Sequence, residues 1–362
     1  MKKTLLVSFL LMNGYWLFAQ NERFYKVYEG KAGNMDATLL LCKSGNSFGG
    51  YVWFGKTQWP IPIYGGNRAG ITDSITLAAG TEPYTLNLTG VFISEKFTGT
   101  SSLQLNDAPA KNGPLQMQVN NNRSFTAFSY FSAEDSAKLP AKIRNESTSD
   151  YIISTIWPEG NSTLDNAIKV QIRKMLELPA TVATPAAWIA SQVKKSAASW
   201  KATNSKLSPK DAADMGLSLS EQEETRIMVM YENEKYITLA NYNFSYTGGA
   251  HGNYGTGLVV LNKQNGKQVR MADVLNTRGI KLLPAILDKV ARLQFGIKNN
   301  LPLDQNDFLV KTISPSKNFY ITSTGIGFLY APYEIKSFAD GDINLLIPFT
   351  ALTNYLQSDF RY

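Results

Sequence analysis

The sequence predicts two architectures in one chain: an antiparallel all-β meander curling into a sandwich or small barrel, then an α+β module. Three observations carry this. Up to about residue 135, short alternating apolar runs are punctuated by glycine and show no helical period. From residue 163, stretches opened by capping residues repeat apolar side chains at helical spacing. After residue 223, apolar runs return around turn residues, with one long amphipathic segment between them. The boundaries drawn are 1–20 for a signal peptide, 21–135 for the β-rich domain and 136–147 for a linker. A small α/β part at 148–222 and an α+β domain at 223–362 follow.

In the first part, the strand-like runs include 37–41, 51–54, 74–77, 84–92, 115–119 and 124–130. Gly45, Gly49-Gly50, Gly65-Gly66, Gly80, Gly90 and Gly113 separate them at strand-plus-turn intervals. Tyr51, Trp53 and Trp59 are expected to pack on strand faces, a sugar-binding groove being the rarer use of such rings.

Residues 136–147 are polar and include Pro140, the composition of a linker. A strand at 151–157 then stops at Pro158. The spacing predicts a helix over 163–178, capped by Ser162 or Thr163, with Leu164, Ile168, Ile172 and Met175 on its apolar face. Pro185 suits the first turn of a second helix, which buries Ile189, Val193, Ala197 and Trp200. Ser208-Pro209 opens a short third helix or turn. Residues 226–231 and 236–246 make a hairpin around Glu232-Asn233-Glu234-Lys235. A second hairpin joins 257–261 to 267–271 through the left-handed turn that Asn265-Gly266 favours. The last long helix is expected at 282–295 with Leu282, Ile286, Val290 and Leu293 in phase. Strands at 319–322, 327–330 and 343–348 and a helical turn at 352–356 complete the chain.

With 44% apolar, 18% charged and 12% aromatic residues, the 362-residue chain is an ordered globular protein with room for two or three cores. Lys2, Lys3, the apolar run 5–11 and Phe18-Ala19-Gln20 have the form of a secretory signal, cleaved after Ala19 or Gln20. An exported protein, periplasmic or extracellular, is therefore expected. No other stretch holds the ~18 continuous apolar residues of a spanning helix, so no transmembrane anchor is expected. Cys42 cannot pair internally and reads as a small buried hydrophobe in a strand. The net charge of +7 falls to +5 when Lys2 and Lys3 are removed with the signal. The cations are scattered, as at Lys194-Lys195, which argues against a nucleic-acid partner and leaves a mild attraction to anionic envelope polymers.

His251 is the only histidine, set in Tyr246-Thr247-Gly248-Gly249-Ala250-His251-Gly252-Asn253. Chemistry that needs two histidines is excluded. No Gly-x-Ser-x-Gly elbow occurs, and a zinc site would need carboxylates to supply the missing ligands. The glycines allow a tight positive-φ turn that His251 braces by bonding to the backbone; a ligand contact is the second reading and catalysis the third. Ligand-contact candidates are His251, Tyr246 and Asn253, with Tyr333 and Glu334 of a Pro332-Tyr333-Glu334 loop; no metal ligand, catalytic residue or cofactor is assigned. Asp340-Gly341-Asp342-Ile343-Asn344 lacks the glycine and twelfth-position glutamate of a calcium loop and reads as a turn before the last strand.

The segment Tyr246 to Asn253 is followed by Leu258-Val259-Val260-Leu261, Asn265-Gly266-Lys267 and Met271-Ala272-Asp273-Val274-Leu275. Later come Gly325-Ile326-Gly327-Phe328-Leu329-Tyr330, Ala331-Pro332-Tyr333-Glu334-Ile335 and Ile347-Pro348-Phe349. These ordered blocks resemble the C-terminal extracellular domain of RsiV-type anti-sigma factors, which also accompanies PdaC-type peptidoglycan deacetylases. The resemblance covers about 148–358, the region before 223 being similar to the small domain that usually precedes it. It implies an extracellular binding module for a lysozyme-type protein or for peptidoglycan. Signalling across a membrane would need a span that this sequence does not show. Deacetylation would need an aspartate and two histidines, which one histidine cannot supply. The rival expectation is an enzyme acting on envelope glycans through two carboxylates roughly 5–10 Å apart.

Overall fold

The alternation of the first part closes on itself. The computed structural model describes residues 23–55, 58–67, 74–81, 84–105, 108–120, 124–143 and 145–362; the signal-peptide stretch 1–20 lies outside them. Eight strands form a closed barrel: β1 (Arg23–Ala32), β2 (Met35–Ser44), β3 (Ser47–Phe54), β4 (Ile61–Asn67), β5 (Ile75–Thr81), β6 (Tyr84–Ile93), β7 (Lys96–Leu105) and β8 (Lys111–Val119). The choice between sandwich and barrel is settled by β1 pairing antiparallel with both β2 and β8. Register aligns Tyr28, Leu39, Val52 and Ile61 across four neighbouring strands, all of them buried. Such inward rows fill the interior of an eight-stranded barrel. Gly50 shares a strand face with Val52, and a Cβ there would lie 1.9 Å from the Leu40 carbonyl oxygen of the next strand. The wall is therefore bent more tightly than a side chain would allow. Tyr51, Trp53 and Cys42 are buried, so the strand aromatics and the cysteine serve packing.

The main stretch of the second unit is Arg123–Tyr362. It carries a five-stranded sheet in the order β13-β12-β11-β10-β9. β9 (Phe128–Lys138) pairs antiparallel along β10 (Thr148–Pro158), from Pro158↔Phe128 to Thr148↔Lys138. The run at 124–130 thus leads into this sheet and not the barrel. Residues 136–138, expected in a linker, complete β9, and a 3-10 turn at Ala141–Ile143 follows with Ile143 buried. The Ser-Ala-Glu-Asp-Ser-Ala-Lys end of β9 is an edge strand with few fully buried positions, so its composition imitates a linker.

Between β10 and β11 (Glu221–Glu232), which run parallel, the chain makes a helical crossover. α1 (Thr163–Leu176) starts at a capping box in which Ser162 and Asp165 exchange hydrogen bonds, and it buries Ile168, Ile172 and Leu176. α2 (Pro185–Asn204) buries Ile189, Val193, Ala197 and Trp200 against β9 and β10, as expected; Trp200 Nε1 donates to the Leu219 carbonyl. α3 (Pro209–Met215) is capped by Ser208. β12 (Tyr236–Tyr246) returns antiparallel to β11, and β13 (Asn253–Asn262) to β12. The expected second hairpin is shorter than its sequence suggests. Gly266 takes φ +68°, but the return arm makes only the Leu261↔Gln268 bridge before α4 (Met271–Val274) begins.

A three-stranded antiparallel sheet, β14 (Phe319–Ile321), β15 (Gly325–Tyr330) and β16 (Ile343–Pro348), packs against α5 (Thr277–Gln294); α6 (Phe349–Leu352) follows. α5 corrects the expected phase: Gly279, Leu283, Leu287 and Ala291 are buried, whereas Leu293 is 75% exposed. Leucine or isoleucine at 282, 283, 286 and 287 makes two neighbouring faces equally apolar. The start at Asn276, and Gly279 seated where a Cβ would lie 2.7 Å from Tyr355 Cβ, select the second face. Among the described residues no helix is long and apolar enough to cross a membrane.

Candidate functional site

The loop between β12 and β13 is shaped by glycine at two points. Gly248 has φ +85°, where side chains are disfavoured, and Gly252 lies under the Phe244 ring, 2.5 Å from where its Cβ would be. His251 is exposed at the tip. Its Nδ1 lies 2.9 Å from the Gly252 carbonyl, to which Nδ1–H donates. Nε2 is 3.5 Å from the Tyr333 hydroxyl, and the imidazole stacks on Phe338 with centroids 4.0 Å apart.

Tyr333 and Phe338 come from the β15–β16 loop. Tyr333 is 56% exposed and holds φ +70°, a left-handed backbone that costs a bulky side chain about 1–2 kcal/mol. The turn is tied by Ala331 N–H donating to Glu334 Oε2 (2.8 Å) and Tyr333 N–H donating to the Lys336 carbonyl (3.0 Å). Lys336 anchors the loop: its buried ammonium lies over the Phe295 and Phe308 rings and pairs with Asp340 at 2.9 Å. Burial works against the Asp340 charge, but hydrogen bonds from Ser337 and Lys336 outweigh it and hold that carboxyl below its ordinary value. Tyr254 meets Phe338 edge-on at 5.8 Å, and Tyr242 lies 6.2 Å from Tyr254, so five rings form one patch.

Behind the rings sits Asp342. Burial pushes its carboxyl up to about 7, with the Glu334 charge adding to the effect, and its Oδ1 is buried without a hydrogen-bond partner. Burial also raises the Tyr254 phenol, and Asp342 raises it further. For Tyr242, burial raises the phenol, Arg226 opposes and Asp342 adds. Among the described residues no group of three or more His, Cys, Asp or Glu side chains is gathered as a metal site.

Of the five candidates from sequence, the fold brings His251 and Tyr333 into contact and places Glu334 in the same loop as Tyr333. Tyr246 ends β12 opposite Gln222, and Asn253 opens β13 opposite Ser245, so both belong to the sheet ladder. Sequence reasoning missed Phe338, Tyr254 and Asp342. Asp342 stood in the segment read as a turn, where Gly341 at φ +69° does end a 3-10 helix before β16.

Residues 272–350 match the family described as a protein of unknown function, DUF3298. No curated protein matches the chain. Among solved structures, a DUF3298 family member from Bacteroides fragilis is similar at 19% identity and a TM-score of 0.56, covering 66% of this chain and 96% of that one. A DUF3298 family protein from Pseudomonas aeruginosa aligns at 15% identity and a TM-score of 0.45, over 64% and 95%. The first likeness bears on the fold alone. The C-terminal part of this chain, from α4 to the start of α6, is thus a DUF3298 domain.

Proposed function

We propose that this is an exported, non-enzymatic binding protein whose C-terminal module takes a protein ligand on the His251–Tyr333–Phe338 face, a lysozyme-type muramidase being the sharpest candidate. The observation that carries the reading is Tyr333: an exposed aromatic ring held in a strained left-handed backbone beside a stacked histidine. Strain of this kind concentrates at functional positions, and rigid exposed aromatics make the anchoring contacts of protein interfaces. Glu334, exposed beside Tyr333, gives the face an acidic neighbour that suits a basic partner. The resemblance to the extracellular domain of RsiV-type anti-sigma factors supplies the lysozyme candidate, and peptidoglycan is the other ligand it implies.

Titration calorimetry with lysozymes of several classes tests it, alongside Tyr333→Gly, which removes the ring and suits the φ of that position. Micromolar binding that weakens at least tenfold in Tyr333→Gly is expected. Absence of binding at high micromolar concentration to every class sinks the lysozyme version, and co-sedimentation with insoluble peptidoglycan then decides the cell-wall version.

A second reading has one observation in its favour. Asp342, protonated near neutrality and electrostatically coupled to Glu334, has the character of a general acid in glycan hydrolysis. Release of soluble fragments from peptidoglycan, abolished by Asp342→Asn, would establish it; no release by the parent protein removes it.

A further inference from the structure

One concavity of the second unit plays no part in the aromatic face. It is a shallow hollow of about 500 Å3, open to solvent between the end of β9 and α2, with Leu139, Pro140, Ala197 and Ala198 in its lining. On α2, Lys194, Ala197, Ala198 and Lys201 fall at i, i+3, i+4 and i+7, a single helical stripe. The two alanines leave the hollow, and the two lysines bound it. At 1.5 Å of rise per residue their Cα atoms stand about 10.5 Å apart along the helix axis. Lys138, at the end of β9, supplies a third ammonium from the opposite wall.

All three lysines are exposed, and none forms a salt bridge among the described residues. The only carboxylate in the lining is Asp135, whose Oδ1 already accepts from Ser136 N–H at 2.9 Å. Three ammonium groups against one carboxylate leave the hollow with a charge of +2. Ammonium groups of one sign grouped around a hollow attract anions, and lysine meets phosphate oxygens as a mobile point charge that needs no bidentate geometry. Leu139 and Ala197 are buried, so this floor is part of the packed core between sheet and helix.

We infer that this groove binds a ligand bearing at least two phosphate-type anions, one held towards each end of the Ala197–Ala198 floor by a mobile lysine. Free oligophosphates and phosphorylated lipid head groups share that chemistry, and two arms of one experiment separate them. Sodium tripolyphosphate is titrated calorimetrically into the purified chain, and flotation is run with phosphatidylglycerol vesicles against phosphatidylcholine vesicles. Three variants accompany the parent. Lys194→Gln with Lys201→Gln removes the bounding charges, Ala198→Trp fills the hollow without changing charge, and Lys281→Gln with Lys289→Gln removes the same charge from the exposed side of α5.

The expected result is binding in at least one arm, weakened tenfold or more by the first two variants and less than twofold by the third. Binding of tripolyphosphate alone assigns a free phosphate ligand, and vesicle binding assigns head groups. The inference is overturned by no binding in either arm, by equal losses in the groove and α5 lysine variants, or by parent-like binding in Ala198→Trp.

Discussion

Replacing Lys263 by methionine should destabilise the second unit by about 3–5 kcal/mol at neutral pH, because it strands a buried charge. Glu232, at the end of β11, is 2% exposed. Its Oε1 accepts from Lys263 Nζ at 2.6 Å, from Thr126 N–H at 2.9 Å and from Thr126 Oγ1 at 2.8 Å, while Oε2 has no partner. One carboxylate oxygen therefore ties the approach to β9, the β11–β12 turn and the end of β13. Burial raises the Glu232 pKa above its ordinary 4.5, and Lys263 and Thr126 pull against that rise. A carboxyl whose folded-state pKa exceeds its unfolded one binds its proton more tightly when folded. Its effect is most favourable below the unfolded value, and stability falls as pH climbs towards the folded value. Removing Lys263 lifts the folded value further, so the penalty should be small at pH 4 and larger at pH 8.

Urea denaturation at both pH values, read by amide exchange in β11 and β12, reports on this unit alone. The double variant Glu232→Met/Lys263→Met replaces the pair by apolar groups and should recover to within about 1 kcal/mol of the parent. A loss below about 1 kcal/mol for Lys263→Met at pH 8, or a double variant no better than the single one, would refute the stranded-charge argument.

Gly327→Ala should cost about 2–4 kcal/mol, because its Cβ would lie 1.9 Å from Cζ of the buried Tyr320, whose hydroxyl donates to Asn344 Oδ1 at 2.9 Å. Urea midpoints measure this, and a loss under about 1 kcal/mol would mean that the ring shifts freely. Raising the pH from 4 to 8 should lower stability by about 2–4 kcal/mol through Asp342, whose carboxyl moves from 3.8 to about 7 on folding; the lower figure allows for its partial exposure. Asp342→Asn should remove that contribution, and a pH profile identical to the parent's would contradict it.

What was legible in the sequence was local. α2 is legible because Pro185 opens it and its buried residues recur at helical spacing, so one stretch of chain contains the whole signal. β9 was misread because an edge strand buries little, and its partner β10 lies beyond the turn that separates them. In α5, two adjacent apolar stripes differ by one residue, and the choice between them is made by Tyr355, 76 residues after Gly279. β7 is faint in the sequence because its Ser, Thr and Gln positions dilute the alternation that register restores beside β6 and β8.

The same distinction governs the aromatic face. Glycines around a lone histidine describe a turn, and Gly248, Gly252 and the Nδ1–H bond to the Gly252 carbonyl make that turn. A turn so well provided with glycine does not need an imidazole to hold it, since one hydrogen bond at an exposed tip contributes only about 1 kcal/mol. The bond does fix the ring plane and its tautomer, and so sets which edge of His251 points to Tyr333, 82 residues later. Across the contact, Tyr333 is held in a backbone conformation that its own side chain disfavours. Two loops that each hold an exposed ring in a defined orientation, one through a backbone bond and one through strain, form a preorganised surface. Neither half is visible from the other in sequence. The bracing role and the ligand-contact role considered for His251 are therefore compatible, because bracing orients the ring that a partner would meet.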